Sequence, residues 1–167
     1  WPIDQFQIYR SLNWGTLAQL MVTDSRQYRD GHFNWGTPLG GFLDANHANP
    51  SRTQLGLTQR QWLLDELSAA QANNITWKLL GNQTMIAPIR FVDLDEAIYR
   101  EADPTLPKHA GFYSLMDSWD GFPAERDLIL AHIADHNIDN VNVLTGDIHA
   151  FFQANVRKDF DDESSPI

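Results

Sequence analysis

The mostly apolar run Val141-Asn-Val-Leu-Thr145 leads directly into Gly146-Asp-Ile-His149. The run predicts a β-strand that ends at the glycine. Polar residues that follow a strand of an α/β sheet emerge at its carboxyl edge, where ligands collect. In extended chain Asp147 and His149 project to the same side, where their oxygen and nitrogen donors suit one metal ion or two adjacent ones. The alternative is a turn in which Asp147 bonds its own backbone and His149 caps the strand end.

A second strand also ends in a polar loop. The apolar run Leu17-Ala-Gln-Leu-Met-Val-Thr23 continues into Asp24-Ser-Arg-Gln-Tyr-Arg29. Arg26 is therefore a candidate for binding phosphate or carboxylate, because the guanidinium fork matches both groups. The alternative is a buried Asp–Arg pair that braces the loop.

Three further polar residues stand where they could contribute. The strand-like run Thr76-Trp-Lys-Leu-Leu80 continues into Gly81-Asn82-Gln83. The side-chain amides of Asn82 and Gln83 could bind a metal or support its ligands, and the alternative is an ordinary turn. Asp120 lies among aromatic residues just before a helix that starts at Pro123. Its carboxylate could bind a metal, donate a proton or pair with the helix start.

Helical patterns separate these strands. Thr58 is a plausible N-cap for a helix through about Ala72, and a second helix runs from Pro123 to about His136. His132 and His136 have the spacing of a chelating pair, with contact to the helix C-terminus as the alternative. The order strand, loop, helix, strand, loop, helix, strand predicts an α/β fold.

The remaining segments carry weaker patterns. Phe6–Tyr9 and 151–156 predict short strands, 90–122 is irregular, and 25–57 is a long loop that is either functional or flexible.

Composition excludes several classes of protein. The 167 residues suit one domain, and 12 Lys and Arg against 22 Asp and Glu give a net charge of -10. This charge argues against a dedicated nucleic-acid partner, which needs clustered cations. The absence of cysteine excludes a thiolate nucleophile, and no apolar run has the roughly 20 residues of a membrane-spanning helix. Without a nucleophile elbow or a phosphate-binding glycine loop, a metal-activated water is the expected attacking group of an enzyme.

Segments of the chain follow one another in an order that resembles a known family, the PhoD-like alkaline phosphatases, a branch of the calcineurin-like metallophosphoesterases. The similarity extends from about Ile8 to Asp162. Its motifs are Ile8-Tyr-Arg-Ser11, Gly15-Thr-Leu-Ala18, Thr23-Asp-Ser-Arg-Gln-Tyr-Arg-Asp30, Leu55-Gly with Gln59, Gln61-Trp-Leu63 and Leu67, Trp77-Lys-Leu-Leu-Gly-Asn-Gln83, Trp119-Asp-Gly-Phe122 with Arg126, and Val143-Leu-Thr-Gly-Asp-Ile-His149.

The resemblance implies metal-dependent hydrolysis of phosphate monoesters or diesters by a metal-activated water. It implies that Asp147 and His149 bind metal, that Gln83 with Asn82 stands where related enzymes place another ligand, and that Asp120 matches a family motif. The implied metals are iron and calcium, for which oxygen ligands are suitable. The family is exported, which implies a secreted, periplasmic or cell-surface protein.

The similar segments all belong to the second half of the family's catalytic domain. Residues 1–167 are therefore expected to form a single partial domain, half of a β-sandwich flanked by helices. A bridging carboxylate for two metals is not found, and part of the sheet should be left uncovered. The expected partners are a phosphate ester and the missing N-terminal half of the domain. The alternative is a non-catalytic fragment or binding module that associates with that half or with another partner.

Overall fold

A computed structural model describes residues 6–31, 48–94, 96–106, 110–113 and 115–165. Within these ranges the chain forms six strands and three helices, and a short 3-10 turn at Trp119–Gly121 precedes the last helix. The elements are β1 (Arg10–Trp14), β2 (Ala18–Val22), α1 (Leu57–Ala72), β3 (Trp77–Gly81), β4 (Arg90–Asp93), α2 (Ala97–Ala102), β5 (Gly111–Tyr113), α3 (Pro123–Asp135) and β6 (Val141–Leu144).

The main sheet has the strand order β1-β2-β3-β6. β1 and β2 are antiparallel, whereas β2, β3 and β6 run parallel, so their carboxyl ends meet at one edge. β4 and β5 form a separate antiparallel pair. The prediction of an α/β fold is confirmed.

The hydrophobic core lies on one face of this sheet. Met21 and Leu80 point into it from β2 and β3, and Leu67 of α1 and Ile129 of α3 pack in the same buried cluster. Side chains alternate along a strand, so Gln19 and Lys78 share this face and are also buried. Both long helices thus cover the same side of the sheet.

The opposite face is apolar and uncovered by any described element. The register aligns Leu12, Leu20 and Leu79 in one row, and Trp14 and Trp77 in another with Ala18 between them. Trp14 is 54% exposed and Trp77 44% exposed. We call the side chains Leu12, Trp14, Leu20, Trp77 and Leu79 the open face. The uncovered surface that the sequence predicts is therefore present in the described part of the chain.

A buried carboxylate joins α3 to the segment before α1. Glu125 is 1% exposed, and it accepts hydrogen bonds from the Thr53 hydroxyl at 2.6 Å, the Gln54 amide at 2.5 Å and the Leu55 amide at 3.2 Å. Burial raises the pKa of the Glu125 carboxyl, and these donors oppose that rise. Its role is to satisfy the backbone of a loop, beyond the helix-dipole contact that its position in the first turn predicts.

Several predicted elements are wrong, and pairing partners explain why. Phe6–Tyr9 is not a strand, because β2 ends at Val22 opposite Arg10 and leaves nothing upstream to pair with. Residues 151–156 likewise form no strand and stay mostly exposed. Within the predicted irregular stretch 90–122 the chain forms β4, α2 and β5.

The two long helices are confirmed with small changes at their ends. α1 begins at Leu57 with Gly56 as its N-cap, so Thr58 is not the cap, and α3 ends at Asp135. No side chain caps the first turn of α1, and the Gly56 amide donates to the Thr53 hydroxyl at 2.8 Å. Of the predicted loop 25–57, residues 32–47 lie outside the described residues. No helix in the described ranges has the length and hydrophobicity that crossing a membrane requires.

Candidate active site

Three loops converge at the carboxyl edge of the parallel strands. Backbone bonds continue the ladder to this edge, from the Thr23 amide to the Gly81 carbonyl and from the Asn82 amide to the Leu144 carbonyl, both at 2.9 Å. The loops after β2, β3 and β6 then contact one another directly. This is the edge at which α/β proteins bind ligands.

The loop after β2 is built around Asp24. This carboxylate is 2% exposed and accepts hydrogen bonds from the Arg26 amide at 2.9 Å, the Gln27 amide at 3.0 Å and the Gln27 side chain at 2.6 Å. The buried Asp–Arg pair that the sequence left as an alternative is not formed by Asp24, whose carboxylate bonds the backbone in an Asx-type turn. Asp24 thus bonds the Arg26 amide, while the Arg26 guanidinium pairs with other carboxylates.

Two glutamines hold this loop from outside. The Gln59 side chain of α1 accepts a bond from the Asp24 amide at 2.6 Å and donates to the Asp24 carbonyl at 2.9 Å and the Leu55 carbonyl at 2.7 Å. The Gln83 side chain accepts from the Ser25 amide at 3.1 Å and donates to the Thr23 carbonyl. The loop is therefore fixed to both α1 and the end of β3.

Arg26 joins the loop after β2 to the loop after β6. Its guanidinium lies 2.6 Å from the Asp147 carboxylate and 3.5 Å from that of Asp117. Arg29 donates to the backbone carbonyl of Asp117 at 2.5 Å. The side chains of Arg26 and Asp147 are 40% and 53% exposed, so solvent reaches this cluster. The structure thus brings two of the predicted site residues, Arg26 and Asp147, into direct contact.

Asp147 and His149 do not continue the strand. Their φ angles are 71° and 59°, in the left-handed region that residues other than glycine seldom adopt. The expectation of an extended chain that projects both side chains to one side is therefore wrong, since β6 ends at Leu144. Two left-handed residues within three positions store local strain, a feature that concentrates at functional sites. Both side chains are exposed.

In this structure the side chains of Asn82 and Gln83 form hydrogen bonds with neighbouring groups of the protein, most of them backbone groups. Asn82 is 4% exposed, accepts from the Thr23 hydroxyl at 3.3 Å and donates to the Thr84 carbonyl at 2.5 Å. Both polar atoms of the Gln83 side chain are also engaged, as described above. A role for either amide as a metal ligand stays a prediction, in which the side-chain oxygen would use its second lone pair.

Asp120 is buried and forms an ion pair with Arg126. It is 2% exposed, lies 3.0 Å from the Arg126 guanidinium of α3 and accepts from the Ile89 amide at 3.2 Å. Burial raises the pKa of the Asp120 carboxyl, and Arg126 opposes this rise. Of the roles that the sequence left open, this geometry is that of a partner for the helix start. A catalytic role for Asp120 stays a prediction.

The histidine pair on α3 stacks instead of converging on a shared point. The rings of His132 and His136 lie 4.1 Å apart at an interplanar angle of 30°. The Ser68 hydroxyl shares a hydrogen bond of 2.8 Å with Nε2 of His132. Burial and the neighbouring His136 lower the pKa of His132. This geometry is that of two histidines packed on each other at the end of α3, and not that of two rings directed at one metal ion.

Metal ligands are incomplete in the described part of the chain. No group of three or more His, Asp or Glu side chains there is placed to hold one ion. Asp147 offers carboxylate oxygens and His149 an imidazole, but the other predicted ligands are bonded to the protein itself. The residues present therefore do not fit a complete metal centre, and no catalytic step can be derived through one.

An apolar groove of about 370 Å³ adjoins the loop after β6. Its lining is mainly apolar, contains the Arg90 side chain and no carboxylate, and lies beside the loop that carries Asp147. Its lining consists of Met85, Ile86, Ala87, Pro88, Ile89, Arg90, Val143, Thr145, Phe152, Ala154 and Val156.

Sequence reasoning missed Asp117 and understated Gln59. Asp117 lies just before the 3-10 turn, outside any strand or motif, and only the fold brings it to Arg26. Gln59 belongs to a family motif, but its structural role comes from three hydrogen bonds to the backbone of Asp24 and of Leu55, which precedes the helix. A buried glutamine in the first turn of an otherwise apolar helix face is the one local signal that could have marked it.

Known proteins are similar to this chain in sequence and in fold. The model of the family described as PhoD-like phosphatase matches residues 2–167. Alkaline phosphatase D of Bacillus subtilis (strain 168) is 37% identical over 162 residues, which cover 96% of this chain and 24% of that protein. A solved structure titled "Structure of PhoD" matches with a TM-score of 0.74 and 35% identity over 96% of this chain and 27% of its own.

The chain thus spans about a quarter of the length of these relatives. The match nevertheless extends over nearly all of this sequence, in agreement with the motif order and the α/β fold. On this basis, the chain belongs to the PhoD-like phosphatase family.

Proposed function

We propose that the loops at the carboxyl edge of the sheet form part of a site that hydrolyses phosphate esters. The observation that carries the proposal is the contact of Arg26 with Asp147 across the loops after β2 and β6. A guanidinium suits a phosphoryl group, and a carboxylate suits a hard cation. Membership of a phosphatase family supports the same reaction class.

The metals proposed for this site are iron and calcium, as the resemblance implies. Asp147 and His149 would each supply one donor, and Gln83 and Asn82 stay the other predicted ligands. The described residues hold no group of three or more His, Asp or Glu side chains for one ion, so a complete site needs further ligands. A metal ion held there would supply an activated water and would polarise the phosphoryl oxygens. The chain's own contribution is Arg26, which binds and orients the phosphate, on a loop that Asp24 and Gln59 keep in place.

The proposed substrate is a small phosphate monoester or diester. A net charge of -10 slows the approach of long polyanions such as nucleic acid. The apolar groove beside Thr145 can accommodate an uncharged part of the ester. We propose that the protein is secreted, periplasmic or at the cell surface, as the family resemblance implies.

A second function, association with the missing N-terminal half of the domain, is favoured by two features. The open face leaves Trp14 and Trp77 exposed, and the metal ligands are incomplete in the described ranges. Both features are expected of a partial domain whose remaining strands and ligands lie elsewhere in a longer protein. In this form residues 1–167 contribute half of the site and do not turn over substrate alone.

The test uses purified chain 1–167 with iron and calcium. Hydrolysis of p-nitrophenyl phosphate and of its bis ester reports activity, and thermal melting reports metal binding. We expect both metals to raise the melting temperature, and we expect Asp147→Ala and His149→Ala to abolish the rise because each removes a donor. Any hydrolysis should disappear in Asp147→Ala.

Asp135→Asn is the matched control. Its carboxylate is exposed at the far end of α3, where it pairs with Lys158. Metal effects or hydrolysis that survive unchanged in both Asp147→Ala and His149→Ala would rule out the proposed roles. A chain that neither hydrolyses nor responds to metal would contradict metal binding by residues 1–167 alone and would favour the second function.

A further inference from the structure

We propose that Arg26 and Arg29 together form a phosphate-binding site, and that the Asp147 carboxylate fills this site when no phosphate is bound. The inference rests on the proposed function, because it assigns the recognition of the phosphoryl group within the same site. It adds Arg29 as a binding residue and makes Asp147 an internal competitor of the ligand.

The two arginines lie three residues apart on a loop that is fixed before any ligand arrives. Asp24 holds the amide of Arg26, and the loop backbone is bonded to Gln59 and Gln83. Beyond Arg29, the Asp30 amide donates to the Thr53 carbonyl at 2.9 Å. A loop held at both ends presents its side chains with little further ordering, which favours binding.

The two guanidinium groups are close enough to affect each other. Burial and the charge of Arg26 lower the pKa of Arg29, while Asp117 opposes this. Two neighbouring cations at a carboxyl edge need anionic partners, and in this structure Asp147 and Asp117 serve Arg26. Arg29 donates a hydrogen bond to the neutral backbone carbonyl of Asp117. A phosphate group brings several acceptor oxygens and negative charge to the same place.

Ser25 supplies an independent sign of a ligand. Its side chain is 0% exposed, and its hydroxyl has no hydrogen-bond partner among the described residues. A buried hydroxyl without a partner is costly, and a water or an ion that accepts or donates a hydrogen bond is one way to satisfy it. Ser25 directly precedes Arg26 in the same loop.

Asp147 can leave Arg26 at small cost. Both side chains are substantially exposed, and solvent screening keeps such ion pairs weak. A phosphate that takes the place of Asp147 therefore gains Arg26 while it suffers repulsion from the displaced carboxylate. Neutralising Asp147 removes both the competition and the repulsion.

The experiment measures binding of inorganic phosphate to metal-free chain 1–167 by isothermal titration calorimetry in a chelating buffer. We expect Asp147→Asn to bind phosphate about fivefold more tightly than the parent chain, as loss of one exposed ion pair allows. Asp135→Asn controls for the change in net charge and should change the affinity by less than twofold. Arg26→Gln and Arg29→Gln should each weaken phosphate binding about fivefold or more.

The double variant Arg26→Gln/Asp147→Asn isolates the competition. If Asp147 acts through Arg26, most of the gain from Asp147→Asn disappears when Arg26 is absent. Thermal melts of all variants verify folding, and Arg29→Lys replaces Arg29→Gln if the latter does not fold. Equal affinities of Asp147→Asn and Asp135→Asn, or unchanged binding in either arginine variant, would overturn the proposal. Because no metal or turnover is involved, these outcomes are independent of whether the chain hydrolyses esters.

Discussion

Asp24 and Glu125 are almost fully buried, and each accepts hydrogen bonds from two backbone amides of irregular segments. Amides in such segments have no strand or helix partner, and leaving them unpaired inside the protein is costly. A short carboxylate side chain places two acceptor oxygens where the backbone turns. At the scale of single residues, buried acceptors therefore determine the shape of the loops that carry the candidate site.

His132 makes stability depend on pH. Burial and His136 lower its folded-state pKa below the ordinary value of 6.5, against the opposing charges of Asp65 and Asp135. Below pH 6.5 the unfolded chain therefore binds more protons than the folded one, so the free energy of unfolding falls as the pH decreases. We expect His132→Gln to flatten this fall between pH 7 and 5, measured by urea denaturation at each pH.

His149→Gln is the control for this prediction, because His149 is exposed in the loop after β6. It should leave the slope of stability against pH close to that of the parent chain. A parent-like slope in His132→Gln would show that the stacked pair does not control the response.

At the scale of elements, the end of β2 is joined to α1 by side chains instead of by a ladder. The backbone of Asp24 gives its amide and its carbonyl to Gln59, which also bonds Leu55 one turn earlier in the chain. The strand end and the helix start therefore hold each other in place. The candidate site depends on this junction, since Arg26 follows Asp24 by two residues.

Gln59→Leu should destabilise the protein by about 2–3 kcal/mol, because it leaves one buried amide and two buried carbonyls without their partner. Hydrogen exchange should rise at the amides of Asp24 and Ser25. Gln61→Leu is the matched control, since Gln61 is exposed and its side chain donates to the Asp65 carboxylate at 2.9 Å. Its cost should stay within about 0.5 kcal/mol. Equal losses in the two variants would show that the junction adds nothing to stability.

At the scale of the whole molecule, the sheet has two unequal faces. α1 and α3 cover the face of Met21 and Leu80, whereas the open face is left without a described partner. Apolar sheet faces of this kind pack against a second layer in stable domains. An exposed apolar surface therefore makes this chain prone to associate, in line with a partial domain.

Trp14→Lys/Trp77→Lys should reduce self-association and binding of the dye ANS while changing the unfolding free energy by less than about 1 kcal/mol. Both side chains are already partly in water, so charging them costs little. Leu80→Lys on the covered face is the contrast, because Leu80 is 2% exposed and a lone charge there costs several kcal/mol. Size-exclusion chromatography with light scattering and chemical denaturation give both quantities. Strong unfolding in the double tryptophan variant would mean that the open face is packed in solution.

The spacing of apolar residues and the turn residues in the sequence predicted the two long helices and three of the strands. The helices starting near residues 57 and 123 and the strands around Leu20, Leu80 and Val143 were predicted within one or two residues. The strands predicted at Phe6–Tyr9 and 151–156 failed, because a strand also needs a neighbour to pair with. Propensity in one segment contains no information about whether that neighbour exists.

For the candidate site, too, local pattern predicted individual residues but not their contacts. Asp24, Arg26, Gln83 and Asp147 were marked because each follows an apolar strand, and parallel strands bring their carboxyl ends together. The bond from Arg26 to Asp147 spans 121 positions of sequence, and the contact with Asp117 spans 91. No local pattern encodes such pairs.

The sequence by itself determined the α/β class, the strand-to-loop junctions and the family, since these depend on periodicity, turn residues and motif order. Only the tertiary structure decided which polar side chains bond one another. It buried Asp120 against Arg126, engaged Asn82 and Gln83 with the backbone, and placed Arg26 between two carboxylates. The physical reason is that hydrogen bonds and charges act over a few ångströms in space, and distance in space is set by how strands and helices pack.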